Sequence, residues 1–305
     1  MIRYLKNNEI DKVLWDQCIS QADFPMADNM SWYLDIVSPG WSALVLDDYK
    51  VVMPLPVRRK LGIAYVYRPL FVQQLGLSGK NISQELLTDF LHAIPVEIKL
   101  ADIFLNESNH IPSEEYKWKE NKNFILDIGQ PYEQIERGYN RNCQRNMKKA
   151  VSAGLRFCPS ISIDDFAGLL LEQITEQKGS FSKKERIQFL ALLGEILNRE
   201  AGELVGIQNE QGELQAAGFY VFSFNRLLFK VCGSSPEGKE NQAMYILIDE
   251  QIKRHAGKFR WYDFQGSNIE GIAYFNSTFG ALPGVYYSLH INRMHGLLKV
   301  LTGRK

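Results

Sequence analysis

Cysteine is scarce in this chain: of 305 residues only Cys18, Cys143, Cys158 and Cys232 are cysteines, and no two form a C-x-x-C pair. That spacing excludes a zinc ribbon and a thioredoxin-like motif. Four thiols scattered over so long a chain make no disulfide framework, so a reducing, cytoplasmic compartment is expected. Net charge is also absent, because 35 Lys and Arg balance 35 Asp and Glu. A broadly basic nucleic-acid binder is disfavoured, while a local basic patch is not. No apolar run approaches the roughly 18–20 residues of a membrane-spanning helix. The opening MIRYLKNNEIDKVLW lacks the apolar stretch of a signal peptide. The five histidines, His92, His110, His255, His290 and His295, show no H-E-x-x-H or other ligand spacing, and no metal is expected. Neither G-x-x-x-x-G-K-[ST] nor G-x-G-x-x-G occurs, so a P-loop NTPase or a dinucleotide enzyme is unsupported.

What is present suits a large folded core. Apolar residues make up 45% of the chain, aromatics 12% and charged residues 23%, which excludes whole-chain disorder. The length fits about two domains. A strand at Ile2–Leu5 and an amphipathic helix over Glu9–Ala22 open the chain. A hairpin follows, with strands at 42–46 and 51–55 turning through Asp47-Asp48-Tyr49-Lys50. Tyr65–Phe71 reads as a strand, Ile82–Ile94 as a helix and Ile98–Leu105 as a strand. Residues 107–123, with Pro112, read as a polar connection. After a strand at Phe124–Ile128, helical spacing runs from Tyr132 to Ala153, with Gly154 as its stop. The second half then gives a strand at 155–159, a helix from Ile163 to about Gln177, and a helix over Lys183–Glu200 with Ile187, Leu190, Ala191, Leu193, Ile196 and Leu197 inward. Strands at 203–208, 214–224 and 226–232 come next, the first two joined by the turn Asn209-Glu210-Gln211-Gly212. Asn241–His255 is a helix, Phe259–Gln265 a strand, Gly271–Phe279 a short helix and Val285–Ile291 a last strand. The expected division is residues 1–122, an inter-domain strand and basic helix over 123–154, and residues 155–305.

Three features carry chemistry on their own residue types. Arg137, Arg141, Arg145 and Lys149 recur every four residues and Lys148 joins them, so on one helix all five cations share a broad face against Glu136 alone. Such a stripe suits a phosphate-bearing partner: a nucleotide-linked precursor, CoA, tRNA or an anionic membrane surface. The bland alternative is a solvated face. Tyr262-Asp263-Phe264-Gln265-Gly266 places Asp263 and Gln265 on one side of a strand. There the carboxylate can take a proton from an attacking amine, or can simply cap a turn. Arg68, Gln73 and Gln74, beside an aromatic strand, can line an acceptor groove or form a solvated strand edge. Cys232 has no histidine near it in sequence and reads as core. The basic stretch Arg293–Lys305, with Met294, Leu297, Leu298 and Leu301, can lie on a membrane surface or pack on its own domain.

The order of elements in the second half, with three short segments, resembles the GNAT N-acyltransferases. The whole chain looks like two such domains in tandem, similar to the Fem-like peptidoglycan aminoacyltransferases. The segments are Tyr139-Asn140-Arg141-Asn142-Cys143-Gln144-Arg145-Asn146-Met147-Lys148-Lys149-Ala150, similar to that family's inter-domain helix; Tyr262-Asp263-Phe264-Gln265-Gly266-Ser267, similar to its D-x-x-G strand end; and Tyr274-Phe275-Asn276-Ser277-Thr278-Phe279-Gly280, similar to its F-K-x-x-F-G. The resemblance implies an α/β (α+β) fold of two tandem GNAT-like domains, each a mixed, mostly antiparallel sheet flanked by helices. It implies transfer of an acyl or aminoacyl group from acyl-CoA or aminoacyl-tRNA to a small-molecule or precursor amine, in cell-wall or lipid metabolism. Tyr274 would return a proton to the leaving group. Backbone amides at Gly233-Ser234-Ser235 would polarise the acyl carbonyl, and Asn276 would hydrogen-bond it. Ser234, Ser235, Asn241 and Gln242 would hold the donor, while Arg141, Arg145, Lys149, Tyr262 and Gln265 would hold substrate. Two departures stand out. Asn276 occupies the usual Fem-like Lys position, and Pro236–Met244 lacks the paired glycines of a pyrophosphate loop. They leave room for a second reading, a catalytically silent GNAT-like binding protein. A groove lined by Arg141, Tyr262 and Gln265 would favour the enzyme.

Overall fold

The computed structural model of the chain describes residues 1–109, 116–176 and 182–294, with 171–176 as backbone alone. The expectations for His110, Pro112, Gln177, His295 and the tail beyond Met294 lie outside these residues.

The chain opens with β1 (Ile2–Leu5) and α1 (Lys12–Gln21), whose first amides, on Val13 and Leu14, donate to the Asp11 carboxylate. Such a cap satisfies N–H groups that have no intrahelical partner. There follow α2 (Ser31–Val37), β2 (Ser42–Leu46), β3 (Val51–Leu55), β4 (Val57–Lys60), β5 (Ile63–Val66) and β6 (Ser78–Gly79). Ser83 caps α3 (Gln84–His92), which leads to β7 (Ile98–Phe104) and β8 (Lys117–Asp127). Next come α4 (Tyr132–Glu136), α5 (Arg141–Ser152), β9 (Arg156–Cys158), α6 (Ile163–Glu176) and α7 (Lys183–Asn198). Ser182 and Glu185 form a reciprocal capping box at the start of α7. The chain continues with β10 (Gly202–Gln208), β11 (Leu214–Ser223), β12 (Arg226–Ser234), α8 (Pro236–Glu240), α9 (Ala243–His255), β13 (Trp261–Asp263), α10 (Glu270–Ser277) and β14 (Leu282–Asn292).

Most expected elements are found near their expected bounds, and the departures have local causes. β5 ends at Val66, short of Phe71, since the nearby Pro69 has no N–H to give to a ladder. β8 begins inside the segment read as a connection, because its first four residues, Lys-Trp-Lys-Glu, are all exposed and show no apolar alternation. The single helix expected over Tyr132–Ala153 is two. α4 stops at Glu136, and Asn140 starts α5 by accepting from the Cys143 N–H. On α7 the inward residues are Phe189, Leu192, Leu193 and Ile196; burying the phenylalanine turns Ile187 and Ala191 out to solvent.

Two compact units result: Met1–Asn121 with 285–294, and Lys122–Gly284. The division expected from sequence set 123–154 apart and left the last strand with the second domain. Instead α5 packs on α9 inside the second unit. β14 pairs with β7 in the first, Leu289 facing Ile103.

The first unit holds a sheet β1-β2-β3-β6 and the strands β4-β5-β7-β14, in which β5 and β7 run parallel. Leu44, Met53, Val66, Phe90, Ile103 and Leu289 are among its core residues. The second unit is built on β8-β13-β12-β11-β10-β9, antiparallel throughout except for β12 and β13. Alternation along β11 sends Ala216 and Tyr220 to a core shared with α5 and α9. Ala217, Phe219 and Val221 face the other way, where α6 and α7 pack on the sheet.

Candidate active site

In the second unit, β12 and β13 pair over three positions only: Arg226 with Trp261, Leu227 with Tyr262 and Leu228 with Asp263. β12 then continues along β11 as far as Ser234. The chain after Asp263 turns away, with Gln265 at a left-handed φ of 57° and Gly266 at 35°. The strands part as a fork. On its β12 arm Val231 faces Phe219 and Phe229 faces Tyr220, so Lys230 has no opposite residue on β11. Such a bulge takes a peptide unit out of the ladder and bends the strand, and bulges are frequent beside active sites. Past the fork, β12 presents an edge with no strand beside it among the described residues.

Lys230 and Gln265 span the fork, Lys230 Nζ donating to Gln265 Oε1 at 3.2 Å. Gln265 is buried, its N–H donates to the Asp263 carboxylate, and its Nε2 meets no hydrogen-bond partner among the described residues. An unsatisfied buried amide costs about 1–3 kcal/mol, and a left-handed non-glycine backbone adds its own penalty. Both costs fall on one residue, which the sequence had already marked for substrate.

Asp263 does not have the surroundings of a general base. It is 0% exposed. One carboxylate oxygen accepts from Asn123 Nδ2 at 2.9 Å and from the Gln265 N–H, while the other is ion-paired to Arg226 at 3.3 Å. The carboxylate that the sequence offered as base is therefore an internal tie between β8, β12 and β13. Tyr262 is likewise inside: its hydroxyl shares a 2.9 Å hydrogen bond with that of Tyr220, and burial pushes both phenols well above their ordinary pKa. It cannot line a groove with Arg141. Asn276 is buried and donates to Ser267 Oγ, which donates to the Gln265 carbonyl, both at 2.9 Å. That relay holds the loop after β13 onto α10, a scaffold role in place of the expected acyl contact. Tyr274, two residues earlier, points about 200° round the helix from Asn276. It is 59% exposed, and the structure does not bring it to Asp263.

The donor-side residues are partly spent on the fold. Ser234 ends β12, buried opposite Ala216. Ser235 caps α8: its hydroxyl accepts from the Gly238 N–H and donates to Gln215 Oε1 at 2.7 Å, with Pro236 in the first helical position. The Gln242 side chain returns to the Lys239 carbonyl at 3.0 Å, and its backbone is left-handed. These corrections leave Asn241, half-buried at the end of α8, and the first-turn amides of α9.

Arg137 falls on the C-terminal cap of α4 and leaves the basic stripe. Arg141, Arg145, Lys148 and Lys149 remain together, exposed on α5. Lys149 Nζ donates to the Glu240 carbonyl at 2.7 Å, next to Asn241, so the stripe reaches the α8–α9 junction. Asn142 Nδ2 ties the same helix to the Tyr245 hydroxyl at 3.2 Å, and Arg145 donates to Asn142 Oδ1. Arg141 and Lys148 form no ion pair among the described residues.

In the first unit, Gln73 and Gln74 are buried, and Gln74 clamps Glu107 through both its amide atoms rather than lining a groove. Arg68 is exposed and stacks over the Phe104 ring at 4.3 Å. Cys232 sits where desolvation pushes its thiol up to about 11, so it stays protonated at neutral pH. Sequence reasoning missed Lys230, Arg226, Asn123 and Tyr220, which carry no local motif and meet only through strand pairing. Among the described residues no cluster of three or more His, Cys, Asp or Glu is placed to hold a metal, and no helix is long and apolar enough to cross a membrane.

No protein-family model matches the chain, and no curated protein matches it. Solved structures do. One described as FemX is 12% identical, with a TM-score of 0.66 over 92% of this chain and 96% of that one. A tandem GNAT protein from the clavulanic acid biosynthesis pathway is 11% identical, with a TM-score of 0.60 over 97% and 100%. L-PGS from Bacillus licheniformis is 12% identical, with a TM-score of 0.52 over 87% and 90%. At such identities the likeness speaks for the fold, and the chain has the tandem GNAT-like fold of the Fem-type acyltransferases.

Proposed function

We propose that the protein is an N-acyltransferase that moves an acyl or aminoacyl group from acyl-CoA or aminoacyl-tRNA to an amine. The observation that carries this reading is the fork, where β12 runs on past Leu228 with no strand beside it and Gln265 keeps a buried Nε2 with no hydrogen-bond partner, both among the described residues. The likeness to FemX, L-PGS and a tandem GNAT protein supports the reaction class by analogy of fold. The donor carbonyl lies along β12 at Lys230–Ser234, where peptide N–H groups stabilise the oxyanion and Gln265 Nε2 donates a further hydrogen bond. A neutral amine attacks, the new C–N bond forms, and the thiolate or the tRNA alkoxide leaves. The ammonium proton passes to water, since Asp263 is closed off. The leaving group takes its proton from water, because Tyr274 lies on the face of α10 turned away from the Gln265 loop. Donor phosphates rest on Arg141, Arg145 and Lys149, beside Asn241 and the first turn of α9.

A second reading, a catalytically silent binding protein, draws on the Asp263–Arg226 ion pair, which removes the expected side-chain base, and on the buried Tyr262, which leaves the groove expected with Arg141 and Gln265 unformed. Thermal unfolding with saturating acetyl-CoA, CoA or aminoacyl-tRNA separates the readings. A ligand at about 100 times its Kd adds about 2.7 kcal/mol, a shift of several degrees. The proposal expects a shift with one donor that shrinks in Arg141→Ala/Arg145→Ala, and amine-dependent turnover of that donor. No shift with any donor refutes it. A shift without turnover, tried over a panel of amines, favours the silent protein.

A further inference from the structure

The β4–β5 hairpin of the first unit ends in a leucine that the fold does not account for. Lys60 pairs with Ile63, so the turn is Leu61-Gly62, with φ of 51° and 79°. A two-residue turn with both centres left-handed favours Asn-Gly or Asp-Gly, and a leucine there is sterically strained. Burial does not compensate, because Leu61 is 93% exposed. The strand leading to it, Arg58-Arg59-Lys60, is exposed throughout. Alongside the turn lies a groove of about 590 Å³ bordered by Arg59, Val96, Lys99, Arg293 and Met294, with Glu97 as its one carboxylate among the described residues. Val96 is 75% exposed. The Arg293 guanidinium is held in place by the carbonyls of Ile94 and Pro95 at 2.9 and 3.0 Å. Arg59, Lys60 and Lys99 form no ion pair among the described residues.

We propose that this end of the first unit docks on an anionic phospholipid surface, with Leu61 and Val96 entering the headgroup boundary and Arg59, Lys60 and Lys99 meeting lipid phosphates. Bare aliphatic side chains among unpaired cations suit that partner on both counts. A nucleic acid would engage the cations and leave the aliphatic tip unused, and a second copy would present the same positive end and be repelled. The inference does not depend on the acyl-transfer reading.

Flotation of the full chain with vesicles tests it, using one part phosphatidylglycerol to two parts phosphatidylcholine against phosphatidylcholine alone. The protein should float with the anionic vesicles only, and less as salt is raised. Arg59→Ala and Lys60→Ala should each lower the partition coefficient about fivefold. Leu61→Asn should lower it as well while keeping or raising the melting temperature, since asparagine suits the turn. Failure of the wild type to float overturns the proposal. So does flotation that survives all three substitutions, whatever other segment then carries it.

Discussion

Asp263 and Asp249 are both buried carboxylates of the second unit, and they lead to opposite expectations. Asp263 is matched by Arg226 at 3.3 Å, so Asp263→Ala removes a carboxylate ion-paired to a buried guanidinium. That should cost about 3–5 kcal/mol of stability in urea unfolding; a variant that keeps full stability would contradict the structural role. Asp249, on α9, accepts from the Tyr132 hydroxyl at 2.9 Å, but desolvation still pushes its carboxyl up to about 6. A folded pKa above the unfolded value of about 3.9 means the group favours the fold fully below that value, and the contribution is lost as pH rises through about 6. Asp249→Asn should therefore be more stable than wild type at pH 7–8, by up to about 2–3 kcal/mol, with the difference vanishing near pH 4. Melting temperatures across that range check it. Sequence spacing put Asp263 and Gln265 on one side of a strand over 259–265, but β13 stops at Asp263 and Gln265 turns off it at a left-handed φ. Nor could spacing tell that the side faces inward for Asp263, because that depends on Asn123 and Arg226, residues far away in the chain.

At the scale of elements, α8 is seated so closely that a Cβ on Gly238 would stand 1.9 Å from the Gln215 carbonyl oxygen. Gly238→Ala must push α8 off β11, a strain of about 1–3 kcal/mol. Because α8 leads directly into the start of α9, donor binding should weaken in the same variant. Calorimetric unfolding and a donor titration together would show both effects. The elements most legible in the sequence are those bounded by turn or cap chemistry, such as the hairpin through Asp47–Lys50 and α7 behind Ser182 and Glu185. The exposed half of β8 hid because its side chains meet solvent and need no alternation. The break between α4 and α5 hid because Arg137 and Arg141 keep helical spacing across it, while Asn140 acts only through its own cap. The fork hid altogether, being defined by where β12 and β13 cease to pair.

For the whole molecule, the tandem GNAT-like plan was readable from the order of elements, and the similarity in fold to FemX extends over 92% of the chain. The pairing that returns β14 to the first unit was not, since a terminal strand bears no mark of its partner. The proposed enzyme holds its acyl donor along β12, beyond the pairing with β13. Hydrogen–deuterium exchange of the intact chain, with and without saturating acetyl-CoA or aminoacyl-tRNA, tests that most directly. Slowed exchange at Lys230–Ser234, at Gln265 and in the first turn of α9 is the result predicted for one of the donors. Protection confined to other elements, or none with either donor, would contradict it.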